Sequence, residues 1–350
     1  MGDINRVLYT AKEAIVSNLT AINVTGANIA NVNTPGYSRL RPMFETVGSS
    51  TASSTQDQIG VRVSEVERIY DRFLEFQLVQ QNSTVANYTT QQDYLQRVEG
   101  ILNESIGGGI NNALGDFLNT WGDLSVDPSS KAKRDAVVST GQNLAYVFNQ
   151  RAQELTNIQI SANESVADTI SILNRYLKQM SSFNEIIVNA QSAGASATSV
   201  KDQRVSLLNE ISKLIDINYI EKDDGSLYLF LPDNGKALVE GFNSWELGVE
   251  RNTNNSNFYD VVFTEDPTQS VNDQISGGKL AGLLSVRDTA IPSYLDELNQ
   301  TASSIINKVN ELHMSGYDQD KNPGGLFFEL TSEAAYMKVS AAIIDRKSTR

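Results

Sequence analysis

Cysteine is absent from all 350 residues, and histidine occurs once, as His313. The first absence excludes disulfides, thiolate metal sites and cysteine nucleophiles together. The second excludes His-rich zinc sites and leaves a Ser-His-Asp triad a single residue to be built around. Positive charge is also short: 28 Lys and Arg stand against 42 Asp and Glu, a formal net charge of −14. Nucleic acid and anionic bilayers both call for a basic face, so the balance argues against either partner. No apolar run is long enough to span a membrane. Asp3, Arg6, Lys12 and Glu13 interrupt what would be the core of a signal peptide. What is present fits a folded chain of two or three domains, 40% hydrophobic and 20% charged. Asparagine is abundant, with 32 residues, and reads as neutral polar surface suited to packing against other protein. Composition tilts toward a structural or binding protein.

From Ile4 to Ile29 the spacing predicts one long helix. Ile4, Leu8, Ala11, Ile15, Ile22 and Ile29 fall on one seam, with Asn18 and Thr25 filling its gaps. A stripe so narrow needs a partner helix, and an amphipathic helix docked on its own domain is the plainer alternative. Asn31-Val32-Asn33-Thr34-Pro35-Gly36-Tyr37 then ends the helix. Pro35 cannot continue it, while Gly36 and the asparagines suit a sharp turn. Residues 46 to 58 are rich in Ser and Thr without periodicity and read as a loop or linker.

Sparse apolar positions from Val66 to Leu102 predict a polar helix over 64–104, closed by Gly107-Gly108-Gly109. A short amphipathic helix follows over 110–122, then a turn at Asp127-Pro128-Ser129-Ser130. A very long helix is expected from Lys131 to about Ala190, and another around Val205 to Ile215. The period then changes. Short strands are expected at 226–231, 236–241, 245–249 and 259–265, before helical spacing returns at Leu280 and over 291–314. The strand block reads as a self-contained insertion whose ends return to one place.

Candidate chemical sites are weak. Asp318, Asp320 and Asn322 with Glu329 at the twelfth position resemble a calcium loop. The sixth position, however, is Pro323 where the turn needs Gly, so an Asx-rich turn is the better reading. Gly277-Gly278-Lys279 lacks the upstream Gly and the following hydroxyl of a phosphate loop. His313 reads as a packed helix-terminal residue, and Asp223-Asp224 as a solvated turn. No constellation rises to an enzyme, and no cofactor or metal is expected.

Ala27-Asn28-Ile29-Ala30-Asn31-Val32-Asn33-Thr34-Pro35-Gly36-Tyr37 resembles the N-terminal signature of bacterial flagellar axial proteins, the rod, hook and hook-associated families. The continuation Tyr37-Ser38-Arg39 is closer to the hook-associated family of the hook–filament junction. So are Gly60-Val61-Arg62-Val63, Ile69-Tyr70-Asp71, Pro128-Ser129 with Arg134, the strand segment from Gly225 to Gly241, and the stretch from Asn310 to Asp318. Another axial family, hook or distal rod, is the runner-up, and a calcium-dependent adhesin the rival from another class.

The resemblance implies a non-enzymatic structural protein of the extracellular flagellum, exported without a cleaved signal. Its implied partners are other copies of itself, hook protein, a filament-side junction protein and the export apparatus. The family-like text fades after Ile343-Ile344, so a C-terminally incomplete member is expected. The fold expected is mainly α: an elongated rod of long coiled-coil-like helices with a small inserted β-rich domain. Its divisions would be 1–45 (axial helix and turn), 46–62 (linker), 63–215 with 280–350 (helical rod) and 216–279 (β-rich insert). Residues 1 to about 45 are expected to be disordered or loosely docked in an isolated monomer, for want of a seam partner.

Overall fold

The computed structural model describes residues 2–34, 36–48, 58–103, 108–318 and 321–348. Helix α1 (Gly2–Ala30) is followed by an antiparallel ribbon of β1 (Leu40–Gly48) and β2 (Gln58–Arg68), and then by α2 (Arg72–Leu102). Next come α3 (Ile110–Val126), α4 (Lys131–Ser192) and α5 (Thr198–Leu214). Seven short strands follow: β3 (Asn218–Glu221), β4 (Leu227–Phe230), β5 (Ala237–Glu240), β6 (Asn243–Ser244), β7 (Leu247–Asn252), β8 (Phe258–Phe263) and β9 (Asp266–Ser270). They form one sheet of order β3-β4-β5-β6 and another of order β7-β8-β9. The described chain ends with α6 (Gly278–Ser285), a π-helical turn at Val286–Ala290, α7 (Ile291–Ser315) and α8 (Ala341–Ser348). The fold is mainly α with long helices and a small β-rich region; α4 alone, at 62 residues, is about 93 Å long.

The expected helix over 64–104 is corrected at its start. Residues 58–68 are strand β2, and α2 begins only at Arg72, where the Asp71 carboxylate accepts the N–H groups of Phe73 (2.9 Å) and Leu74 (3.2 Å) as a helix cap. The expected linker 46–62 is corrected with it: 46–48 and 58–62 belong to the ribbon, and 49–57 lie outside the described residues. Gly107 of the glycine triplet also lies outside them.

By packing, the chain forms two compact units. One gathers Met1–Ala86, Thr169–Glu250 and Asp260–Lys279; the other gathers Asn87–Asp168, Arg251–Tyr259 and Leu280–Arg350. This grouping cuts across the divisions drawn from sequence pattern, because α2 and α4 each contribute residues to both units. The first unit is cored by α4 residues Leu173, Leu177, Met180 and Ile187, α5 residues Leu208 and Ile211, and strand residues Leu227, Leu229 and Val239. The second is cored by Phe117, Leu144, Phe148, Leu155, Ile306, Phe327 and Phe328.

The strand block is tied to helices of its unit. Strands β3 to β5 share the first unit's core with helices, and Gln80 of α2 donates to the carbonyl of Ile217 (3.0 Å) at the entrance to β3. In the second unit, the π turn places Arg287 fully inside, and Gln159 donates to the Arg287 carbonyl (2.7 Å).

Candidate assembly site: the N-terminal helix and its turn

A heptad frame sorts the residues of α1 by burial. With Leu8, Ile15, Ile22 and Ile29 at a and Ile4, Ala11, Asn18 and Thr25 at d, every a and d side chain is exposed. Ile4, Leu8, Ile15, Ile22 and Ile29 keep 63–70% of their surface in solvent. The covered residues between 10 and 28 all fall at c, f and g: Thr10, Glu13, Ala14, Ser17, Thr20, Ala21, Val24, Ala27 and Asn28. This face packs on both strands of the β1–β2 ribbon. At 100° per residue it lies roughly 140° around the helix from the a/d seam.

Both readings of the helix thus meet in one structure. It docks on its own unit, so the expected loose attachment of 1–45 is corrected, but it docks by its small polar face. Ser17 donates its hydroxyl to the Val61 carbonyl (3.0 Å), and Val24 is the buried apolar contact. The six seam residues named from sequence remain uncovered.

The turn after the helix fixes this orientation. The Asn28 carboxamide donates to the Leu40 carbonyl (2.8 Å) and accepts from the Leu40 N–H (2.8 Å) and the Tyr37 hydroxyl (3.0 Å). It thereby mimics a neighbouring strand at the first residue of β1. Asn31 donates to the Ala27 carbonyl (2.9 Å), and Thr34 donates to Asn31 Oδ1 (3.3 Å). Gly36 has φ +80°, and a Cβ there would come within 3.3 Å of Ser206 on α5. The Arg68 guanidinium donates to Ser38 Oγ (3.0 Å) and pairs with a half-buried Asp202 of α5 (2.6 Å). The backbone carbonyl of Arg39 accepts from Ile69 N–H (2.8 Å), while the side chains of Arg39 and Asn33 are exposed. Pro35 lies outside the described residues. The signature is, physically, a joint that presents one face of α1.

Asparagine clamps of the Asn28 kind were not visible to sequence reasoning, and they recur. Asn174 donates to the Leu247 carbonyl (2.7 Å) and accepts its N–H (3.0 Å). Asn184 does the same for Leu227 (2.8 and 2.9 Å), and Asn310 for Phe328 (2.9 and 2.9 Å). Asn163 accepts the N–H of Tyr259 (2.7 Å) together with Arg287 (3.0 Å). Asn163, Asn184 and Asn310 are buried. The expectation that asparagine serves mainly as outer surface is corrected at these positions. The signal was there: 163, 174 and 184 are spaced by 11 and 10 along the apolar stripe of α4, three turns each.

The weaker candidates resolve as structure. Asp318 accepts the Asn322 N–H (2.8 Å), so its carboxylate is engaged by the protein's own backbone; Gln319 and Asp320 lie outside the described residues. Among the described residues no group of three His, Asp or Glu is placed to hold a metal, and no helix is long and apolar enough to cross a membrane. At Gly277 a Cβ would strike Ser83 and Asp216, and the Asp216 carboxylate accepts from Ser276 N–H (3.2 Å) and hydroxyl (2.6 Å). The protein's own carboxylate fills the space a phosphate would need. His313 Nδ1 donates to the Gly325 carbonyl (2.6 Å), with its ring edge-on to Trp121 and Phe327. Asp224 is held below the usual carboxylate range by the Ser226 hydroxyl and N–H.

The family model "Flagella basal body rod protein" matches residues 8–37, the helix and turn just described. "Flagellar hook-associated protein FlgK helical domain" matches residues 95–328. Flagellar hook-associated protein 1 of Bacillus subtilis is 28% identical over 97% of this chain and 75% of its own length. The protein of the same name from Salmonella typhimurium is 26% identical, and the match spans 58% of it. The solved flagellar hook junction protein FlgK from Burkholderia pseudomallei shares the fold, with a TM-score of 0.65 at 23% identity over 75% of this chain and 47% of that one. A match running from 95 to 328 takes in two thirds of the sequence, from α2 to the second phenylalanine of the Asn310 clamp, and on that ground the chain belongs to the flagellar hook-associated protein FlgK family.

Proposed function

We propose that this chain is a non-enzymatic structural protein of the bacterial flagellum, acting outside the cell at the junction between hook and filament. The observation that carries the reading is the α1 seam: a heptad stripe of large apolar residues left in solvent by a helix already docked through its opposite face. A stripe of this kind is an assembly surface, because a closed unit would have buried it. Subunits add through it to neighbours, which include other copies of the chain, hook protein and a filament-side junction protein. The chain reaches this place through the flagellar export apparatus.

The rod-type match over residues 8–37 also suits a hook or distal-rod role. The match over 95–328 favours the junction. Cells lacking the gene should excrete flagellin while keeping bare hooks, and the wild-type gene should restore filaments. Ile15→Asp puts a charge into the seam and should be exported as a folded chain that fails to restore them. Full motility with Ile15→Asp would remove the seam from the mechanism, and filaments on cells lacking the gene would remove the junction role.

A further inference from the structure

Of the 32 asparagines only Asn234 precedes a glycine. An Asn-Gly step is prone to cyclise, because the glycine has no Cβ to hinder attack by its backbone nitrogen on the preceding side-chain amide. Asn234 and Gly235 are both exposed, in the turn over 231–236 that joins β4 to β5. Gly235 has φ +67°, and nothing lies within 4 Å of where a Cβ would stand, so the space beside the step is open.

Three hydrogen bonds hold the polar groups of this step. Asn234 Oδ1 accepts the Lys236 N–H (2.8 Å), the Gly235 N–H donates to the Leu231 carbonyl (3.0 Å), and Asn234 Nδ2 donates to Gln274 Oε1. They act on cyclisation in opposite senses. The Lys236 N–H is placed to stabilise the negative charge that develops on Oδ1 when the amide carbon is attacked, as an oxyanion donor does. The Leu231 carbonyl keeps the proton on the attacking nitrogen. Gln274 ties down the leaving amide and strengthens its resonance.

We propose that Asn234 is a site of spontaneous deamidation and that Gln274 is its brake. The Gly235 nitrogen bonds to Asn234 Cγ, the bond from Cγ to Nδ2 breaks, and ammonia leaves with the proton given up by Gly235. Water then opens the cyclic succinimide at one carbonyl or the other, giving aspartate or isoaspartate. Isoaspartate adds a main-chain carbon and a negative charge to a turn flanked by the fully buried Leu231 and Leu238. The modified form therefore loosens the β4–β5 pairing, in which Leu229 faces Val239 and Phe230 faces Ala237.

The chain holds its own control. Asp224-Gly225 is the one Asp-Gly step. Its carboxyl is kept below the usual carboxylate range by the Ser226 hydroxyl and N–H, and an ionised carboxylate is a poor electrophile. The Gly225 N–H donates to the Lys222 carbonyl (2.9 Å).

Both steps fall in one tryptic peptide, residues 223–236, which contains no other asparagine. The folded chain is held in mildly alkaline heavy-oxygen water and mapped by mass spectrometry at intervals. Asn234 should be lost faster than any other asparagine, with heavy oxygen incorporated and isoaspartate the larger product, while Asp224 stays unchanged. A synthetic peptide of the same sequence lacks the brake and should react faster than the folded chain. Gln274→Ala should speed the loss roughly two- to tenfold, the range set by one side-chain hydrogen bond, with helical circular dichroism unchanged. Retention of Asn234 for as long as the exposed Asn243 of Asn243-Ser244 would overturn the site, and the parent chain tests this without any substitution. An unchanged rate in Gln274→Ala, or a peptide no faster than the folded chain, would overturn the brake.

Discussion

Replacing Asn184 by alanine tests whether neutral amides hold the helices to the strands. The side chain is fully buried, donates to the carbonyls of Leu227 (2.8 Å) and Gly241 (2.9 Å), and accepts from Leu227 N–H (2.9 Å) and Arg204 (3.2 Å). Arg204 loses least, because it keeps the Gly225 carbonyl (2.5 Å) and Glu221 (2.8 Å). The Leu227 N–H and carbonyl are left buried without this partner, and the part-buried Gly241 carbonyl loses it too. Each such group costs about 1–3 kcal/mol, the carbonyls toward the lower end because each has a second lone pair, so the sum is about 3–5 kcal/mol. That is a large share of a domain stability of about 5–15 kcal/mol.

The chain carries one tryptophan in each unit, Trp121 in the second and Trp245 in the first. In a Trp121→Phe background, the urea transition of Trp245 fluorescence reports the unit that holds the clamp. Asn184→Ala should move that transition to markedly lower urea. A loss below about 1 kcal/mol would refute the reasoning, since it would place the bond network at the value of a single solvent-exposed hydrogen bond.

Two further outcomes follow from packing and charge. Gly141 sits inside α4, where a Cβ would come within 2.8 Å of Phe327 and 3.2 Å of Phe117. Gly141→Ala gains about 1 kcal/mol of helix propensity but overpacks the aromatic cluster by about 1–3 kcal/mol, so a net loss of about 1 kcal/mol is expected in urea titrations read by Trp121; a net gain would contradict it. Burial raises the Glu75 carboxyl above the ordinary range, partly offset by the Asn209 amide and Arg68. A raised carboxyl stabilises the fold below its unfolded pKa, and the contribution is lost as pH rises through the folded value. Glu75→Gln should therefore be more stable than the parent at pH 7, with the gap closing near pH 4, and a less stable variant at pH 7 would contradict the sign.

Long, strongly periodic elements were legible in the sequence. The seam helix, α3, α4 and α7 declare themselves by apolar spacing, and the strand-rich stretch after Ile215 by its change of period. The β1–β2 ribbon did not, although Val61 to Ser64 alternates as a strand does, because its pairing is non-local and Ser/Thr-rich text joins its strands. The docked face of α1 was invisible for a related reason: Thr10, Ala14, Ser17, Ala21 and Asn28 carry no apolar signal. They bind by small size and hydrogen bonds, which periodicity does not weigh. The motif residues Asn28, Gly36 and Tyr37 could be named from the sequence, but their roles required Leu40, Ser206 and Asp202 to be brought beside them. A π turn has no pattern of its own, and Arg287 gave no sign of lying fully inside.

Clamps and seam answer one physical problem. A helix carrying a stripe of Leu and Ile next to its own ribbon gains most by turning that stripe inward, since each large side chain buried is worth about 1.5–3 kcal/mol. Keeping five of them outside requires a stronger commitment on the other face. Hydrophobic contact cannot supply it there, with Val24 the main apolar contribution. Directional bonds can. Asn28 engages both backbone groups of Leu40, Ser17 takes the Val61 carbonyl, and the turn that follows is locked to α5 through Gly36 and the Arg68–Asp202 pair. Such bonds have no strength at a rotation of roughly 140°, whereas apolar packing would tolerate many angles. The same carboxamide device sets β7 and β4 against α4 and the Phe327–Phe328 segment against α7. Asparagine therefore fixes orientation throughout the chain, and at α1 that fixed orientation is what leaves the apolar face available to another molecule.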